Sequence, residues 1–510
     1  MSGIKKLAGQ TLWYGVPTIA YRFLGYLMNM ALPFFIKMPA ATADLVQVYA
    51  MIPFLNAVYA YGLETAYFRF AQTEDKNKLY STLSLSLISS TVIFSIILFL
   101  FKGTIVSWAG LQEHPEYLLW MIGILAVDNL NTLPFAKLRL ENRPKKYAFA
   151  RVTGIFTNIG IVIFFLGFAP TILQKNPQSF LRHLYNPHLG IGYYLVGNLI
   201  ETLFILVLLQ KEIREIKFKF SIPLWKEVMK YSTPLIIVGL GGMVNDVLSR
   251  LIYRHVVHAS PNDPLHSADH ELGIFANIFR LALLITIMIQ AFRMAAEPFF
   301  FNESKKEDAP KTYARVMKFF VIASCFMLLF IGLFLDVFKW FFETFTAGKG
   351  IWSEGFNAIP ILALGNIFLG IYYNLSIWYK LTNKNTLGAG ITIMGAIITI
   401  GLNILLIPSL HYYGAAIATF CCYFFMMVCS YKLGQKYYPV PYNVKKLTAY
   451  LVLTILIIMM HWAITYLINN QLWFSITIAM VMLFYFAKFV GKVEKKELSK
   501  LPFISRLYKK

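Results

Sequence analysis

Charge is scarce in this 510-residue sequence. Only 14% of its residues are Asp, Glu, Lys or Arg, and only 25 are acidic, against roughly 25% charge in an average soluble domain. That scarcity excludes an ordinary water-soluble surface. Cysteine is rarer still: Cys325, Cys421, Cys422 and Cys429 all fall inside apolar runs. Their placement argues against a disulfide framework or a Cys-x-x-Cys metal site and fits small buried hydrophobes. No nucleophile elbow, Walker loop or paired-His metal motif occurs, so the sequence offers no ATP-binding or hydrolytic signature. Nothing resembles a cleaved signal peptide, and the first apolar run is expected to be retained.

Apolar residues are abundant: 58% of the chain is hydrophobic and the mean hydropathy is +0.59. Apolar runs long enough to cross a hydrocarbon core of about 30 Å recur from end to end. About fourteen are expected, near 11–36, 44–67, 79–101, 117–137, 147–170, 190–210, 231–256, 272–299, 313–337, 356–380, 386–408, 411–434, 446–468 and 471–490. The expected class is an all-α polytopic membrane protein.

The net charge of +22 is placed on alternate loops. Basic groups cluster at Lys5–Lys6, Lys76–Lys78, Arg139–Lys146, Lys211–Lys230, Lys305–Arg315, Lys432–Lys446 and in the tail from Lys492. The intervening loops hold little beyond Lys37, Lys102, Lys175, Arg182, Lys339 and Lys349. This is the positive-inside pattern, with both termini cytoplasmic and an even number of spans. It points to a membrane face and membrane lipids, and to no nucleic-acid partner.

Two segments align without gaps: ENRPKKYAFARVTGIFTNIG (141–160) and TNKNTLGAGITIMGAIITIG (382–401). Asn142 meets Asn383, Gly154 meets Gly395 and Gly160 meets Gly401. A second pair, 47–70 and 273–300, aligns with a small insertion. The expected organisation is therefore two parallel six-span halves, 1–221 and 222–438, two further spans within 439–490, and a basic cytoplasmic tail, 491–510.

An arginine at mid-membrane costs about 2.5–3.5 kcal/mol on insertion scales, so such groups should face protein or a wet cavity. Arg22 lies with Tyr26 and Asn29 on one face of the first span. Asn56 and Glu64 are eight residues apart in the second, with Arg69 near its end. Asp246, Arg250 and Arg254 recur every four residues in the seventh, while in the eighth Asn277 and Arg280 share one stripe and Gln290, Arg293 and Glu297 another. The fifth, eleventh, thirteenth and fourteenth spans are expected to be almost free of interior charge. Two readings stand for several positions. Asp246–Arg250 and Arg293–Glu297 are either site residues or helix-local ion pairs, Arg254 is either a cavity residue or a snorkelling one, and Arg69 fits a cytoplasmic anchor. Arg22, Arg250 and Arg280, apolar on both sides, are the stronger site candidates. A cationic cleft suits an anion, and guanidinium forks match phosphate oxygens.

Glu64, Asp128, Asp246 and Glu297 are candidates for coupling to H+ or Na+. Asp128, its neighbour Asn129 and Glu201 read equally as hydrogen-bonded packing residues. The loop 255–271 gathers His255, His258, His266, His270 and Asp269, but no further ligand pair completes a zinc set, and a solvated loop is expected. No metal or organic cofactor is expected.

LNILLIPSLHYYGAAIATF (402–420) resembles the Asn-x-x-Leu-x-Pro…Gly-Ala-Ala-x-x-Thr segment of polysaccharide exporters and flippases, through Asn403, Leu406, Pro408, Gly414, Ala415, Ala416 and Thr419. These belong to the multidrug/oligosaccharidyl-lipid/polysaccharide exporter (MOP) superfamily. ELGIFANIFRLA…QAFRMAAEPFF (271–300) resembles its eighth-span segment, and YRFLGY (21–26) is similar to the first span of lipid II flippases. Arg22 then takes the place of a cavity arginine, while Met28 stands where those flippases carry a second one, which favours a different lipid-linked glycan. The resemblance implies a V-shaped pair of six-helix lobes around a central cavity. It implies alternating-access export of an undecaprenyl-pyrophosphate-linked oligosaccharide across a bacterial inner membrane for surface polysaccharide, beside a polysaccharide polymerase and glycosyltransferases. A multidrug or cation antiporter of the same fold should present carboxylates instead. A membrane-embedded sugar polymerase or ligase should carry longer outer loops than 171–189 and 257–271. The chain is not expected to be an enzyme.

Overall fold

The computed structural model describes residues 20–21, 23–141, 143–257, 267–304, 306–382, 384–469 and 471–498. Every regular element among them is helical. In chain order these are α1 (Phe23–Phe35), α2 (Ala43–Ala60), α3 (Leu63–Phe70), α4 (Lys76–Leu100), α5 (Lys102–Ala109), α6 (Glu116–Leu140), α7 (Pro144–Ile163) and α8 (Ala169–Lys175). There follow α9 (Tyr193–Leu208), α10 (Gln210–Arg214), α11 (Ile222–Val256), α12 (Ala268–Glu303), α13 (Ala309–Leu333) and α14 (Leu335–Phe345). The chain ends through α15 (Ile359–Leu375), α16 (Ile377–Leu381), α17 (Asn385–Tyr437), α18 (Val444–Leu467), α19 (Leu472–Val493) and α20 (Lys495–Leu498).

Among the described residues ten helices are long and apolar enough to cross a membrane, or eleven with the bent pair Ala268–Ala282 and Leu284–Gln290 taken as one span. The protein is a multi-pass, all-α membrane protein. Part of the difference from fourteen lies in how spans join. The 53-residue α17 covers two expected runs, and a straight helix of that length would measure about 80 Å. It breaks instead at His411, where φ is 53° and ψ −133°. Just beyond, a Cβ on Gly414 would lie 2.4 Å from the carbonyl oxygen of Leu406. The Pro…Gly-Ala-Ala pattern is thus the signature of a helical turn with no room for a side chain.

The chain packs as two compact units. The first comprises Met1–Arg280, Thr346–Gly348 and Thr392–Ala415. Its core is drawn from α1, α2, α6, α7, α9 and α11, through Leu32, Val48, Leu118, Val162, Leu195 and Leu251. On α4, Leu79, Leu83 and Leu87 are buried while Val92, Ile93, Ile96, Phe99 and Leu100 stay exposed. An exposed apolar stripe of that length is stable against acyl chains rather than water. The second unit comprises Leu281–Phe345, Lys349–Ile391 and Ala416–Lys510. Here α13 packs on α18, with Trp462 Nε1 donating to the Gly332 carbonyl at 3.1 Å. Ser475 of α19 donates to Asp336 at 2.7 Å, satisfying a polar pair that would otherwise be costly between apolar helices.

Candidate functional site

The first unit gathers most of the described candidates into three groups. The first is cationic. Arg280, on α12, is 7% exposed. The Tyr26 hydroxyl of α1 donates to its backbone carbonyl at 2.6 Å, so Tyr26 fixes the helix that carries the guanidinium. Arg280 Nη1 is buried with no hydrogen-bond partner. Arg250, Tyr194 and Tyr26 lie within its electrostatic range, and no carboxylate among the described residues does. Arg250, on α11, stacks 4.6 Å above the Phe279 ring, and Asn277 is buried one turn before Arg280. Asn29 is turned to its own helix, donating to the Gly25 carbonyl at 3.1 Å.

The second group is acidic and gathers Tyr21 with residues of α6, α7 and α9. Glu201 is 1% exposed. Tyr21 and Asn158 are the donors nearest its carboxylate, and Arg151 and Asp128 act on it electrostatically, yet neither oxygen has a hydrogen bond of normal geometry. Asn56 is the side-chain donor nearest the Asp128 carboxylate. Asn158 donates to Asn198 at 3.0 Å, and Asn198 donates to the Tyr49 hydroxyl. Arg151 lies 4.1 Å above the Phe135 ring. The expectation that the fifth span is almost uncharged is corrected here, because Arg151 sits inside it. Its basic neighbours on the preceding loop masked it in the sequence, although it stands seven residues into the helix from Pro144.

The third group is a clamp around Arg254. Its guanidinium reaches Asp44 at 2.5 Å, Asp269 at 2.6 Å, and the carbonyls of Ala109 and Gly110 at 2.8 and 2.9 Å. Arg254 therefore neither snorkels nor lines a cavity: it ties α2, α5, α11 and α12 together at one end. Beside it, the Tyr253 hydroxyl donates to Glu271 at 3.0 Å, and His411 contacts the same carboxylate at 2.6 Å.

Other candidates lie apart. Asn56 and Glu64 do not share a stripe, because Tyr61 and Gly62 take φ of 30° and 72° and end α2 before α3 begins. Glu64 pairs with Arg139 instead. Arg293 is in the second unit, 4.5 Å above the Tyr373 ring, in a small cavity with Asn374 and Lys380. Arg69 lies 4.1 Å above Tyr231. Arg22, His258 and His266 lie outside the described residues, as do the side chains of Asp246 and Glu297. Among the described residues no group of three or more His, Cys, Asp or Glu is placed to hold a metal.

No protein-family model matches the chain, and no curated protein sequence matches it. Solved structures do. The lipid II flippase MurJ in an inward closed conformation superposes with a TM-score of 0.65 at 16% identity, over 94% of this chain and 98% of that one. An inward-facing multidrug resistance MATE family transporter of the MOP superfamily gives 0.64 at 14% identity, over 83% and 94%. The Vibrio cholerae MATE transporter VcmN in its bent form gives 0.55 at 13% identity, over 88% and 100%. At these identities the likeness is one of architecture, and this chain has the fold of the MOP-superfamily transporters.

Proposed function

We propose that the chain is an alternating-access flippase that exports an undecaprenyl-pyrophosphate-linked oligosaccharide across a bacterial inner membrane, with its termini on the cytoplasmic side. The observation that carries this reading is Arg280 beside Arg250. The buried Arg280 guanidinium lies within the electrostatic range of the half-buried Arg250, its Nη1 has no hydrogen-bond partner, and no described carboxylate neutralises it. A buried, unneutralised cation is costly in a membrane protein and is offset by an anion. A pyrophosphate offers several acceptor oxygens to guanidinium forks. Tyr194 supplies a hydroxyl beside Arg280, and Arg22 and Asp246 are assigned to the same binding set from the sequence alone. The fold shared with a lipid II flippase agrees with a lipid-linked substrate.

The acidic group supports ion coupling. Glu201 is a buried carboxylate with Asp128 within its electrostatic range, a pair suited to binding H+ or Na+ during the cycle. The same pair favours a second reading, a cation antiporter, in keeping with the likeness to MATE transporters. Arg250→Ala and Arg280→Ala, expressed in a host that depends on this chain for surface glycan, separate the two. Loss of glycan with normal membrane insertion supports the flippase. Full glycan display in both variants, with dye efflux that depends on Glu201, would establish the antiporter instead.

A further inference from the structure

In the second unit the first turns of α13 and α18 meet the segment that follows α19, and an open cavity of about 340 Å³ lies between them. Lys311, Arg315 and Lys318 line it from α13, Lys446 from α18 and Glu497 from α20. The three α13 cations are spaced four and three residues apart, so they form one stripe facing the cavity. Beneath them Glu494 is 2% exposed. It accepts hydrogen bonds from Lys318 at 2.8 Å and Tyr450 at 2.8 Å, and pairs with Lys446 at 2.5 Å. Burial alone would push the Glu494 carboxyl upward. The Lys318, Lys446 and Tyr450 contacts prevail and hold it below the usual carboxylate range.

Glu494 therefore stays charged and brings together two ammoniums that would otherwise repel. Lys318 also pairs with Glu497 at 2.8 Å, and Arg315 reaches Glu497 at 3.3 Å. Lys311 has no carboxylate partner among the described residues. Four cations against two carboxylates leave an excess of two positive charges. The 24-residue α18 opens at the same place, its Asn443 side chain accepting from the Lys446 amide at 3.1 Å, and a helix N-terminus favours anions. Leu456, Met459 and Met460 of α18 and Phe484, Tyr485 and Phe489 of α19 are exposed. Acyl chains can thus run beside the same helices whose ends carry the basic cavity.

We propose that this cavity is a binding site for a phosphate-bearing anion, separate from the Arg250–Arg280 site. The geometry suits an anionic phospholipid headgroup that holds α18 and α19 against α13, as basic pockets between helices do at a cytoplasmic membrane face. The same chemistry admits soluble phosphate, and the experiment distinguishes the sources.

The purified full chain is titrated separately with phosphatidylglycerol, phosphatidylcholine and inorganic phosphate. Binding is read as retained adducts in native mass spectrometry and as a rise in melting temperature. Phosphatidylglycerol binding without phosphatidylcholine binding assigns the lipid source; a response to inorganic phosphate alone assigns the soluble one. Each surface cation removed should weaken binding about fivefold, so Lys311→Gln with Arg315→Gln should weaken it about twenty-five-fold. Both side chains lie clear of Glu494, and the melting temperature of the ligand-free double variant checks that it folds. No selective binding by the wild type, or a folded double variant that binds as tightly, overturns the proposal.

Discussion

Replacing Arg254 by Ala tests whether the clamp holds the first unit together. In the folded chain one guanidinium, 9% exposed, serves Asp44, Asp269 and two backbone carbonyls. The Asp269 contact contributes least, because that carboxylate is 47% exposed and screened ion pairs are worth about 0–1 kcal/mol. Asp44 is 16% exposed, and stripping a buried carboxylate of its partner costs about 3–5 kcal/mol. The Ala109 and Gly110 carbonyls lose charge-assisted bonds of about 1.5–3 kcal/mol each, partly regained from water that enters the vacated space. The net loss should be about 3–5 kcal/mol. At about 2–4 °C per kcal/mol for a unit of this size, Arg254→Ala should melt roughly 10 °C below wild type. The assay is fluorescence-detected size exclusion after heating in detergent. Adding Asp44→Asn should restore part of the loss, because the uncompensated carboxylate is then gone, with a coupling of about 0.5–3 kcal/mol. A wild-type melting temperature in Arg254→Ala, or strict additivity with Asp44→Asn, would refute the clamp.

Two further outcomes follow from the packing. Asp128→Asn with Glu201→Gln should abolish the dependence of transport on a proton or sodium gradient in proteoliposomes. Its melting temperature should fall below wild type, since both carboxylates act on the Arg151 guanidinium and a cation stripped of its acidic neighbours inside a membrane protein is costly; unchanged ion dependence removes the coupling assignment. Gly273→Ala should destabilise the chain by about 1–3 kcal/mol or more, because the new Cβ would lie 2.2 Å from the Pro39 carbonyl oxygen. Gly160→Ala, with nothing within 4 Å, is the control, and equal melting of the two variants contradicts the packing at Gly273.

Composition and periodicity carry the class of this protein because the bilayer demands long apolar helices with internally satisfied backbones. The helical breaks are harder to read. Tyr61 adopts φ of 30°, a conformation usually left to glycine, and only Gly62 beside it marks the place. That break separates Asn56 from Glu64, which an unbroken helix would align. The break at His411 is legible through Pro408 and Gly414, although Pro408 lies within the helical stretch and the chain turns three residues later. Charge was legible by type more than by partner. Arg250 and Arg280 stand out because both flanks are apolar, whereas the partners of Arg254 come from residues as distant in sequence as Asp44. Arg151 is obscured in the sequence by the basic loop it follows, and its surroundings depend on the rings of Tyr21 and of Phe135 on α6.

The cationic and acidic groups are not independent. Tyr194 on α9 lies within electrostatic range of both Arg280 and Glu201, and α1 carries Tyr26 to the cationic group while Tyr21 lies at the acidic one. A change of charge in one group therefore reaches the other through the hydroxyl that both act on. An anion on Arg280 alters the field at Tyr194 from one side, and a cation or proton on Glu201 alters it from the other. By linkage each must alter the affinity for the other equally. If anion binding is favoured by a cation at Glu201, the two ligands load together, and a flippase cycle can draw on an ion gradient without a direct contact between substrate and ion. Tyr194, within range of both groups, suits that role because it is neutral and adds no charge of its own to the coupling.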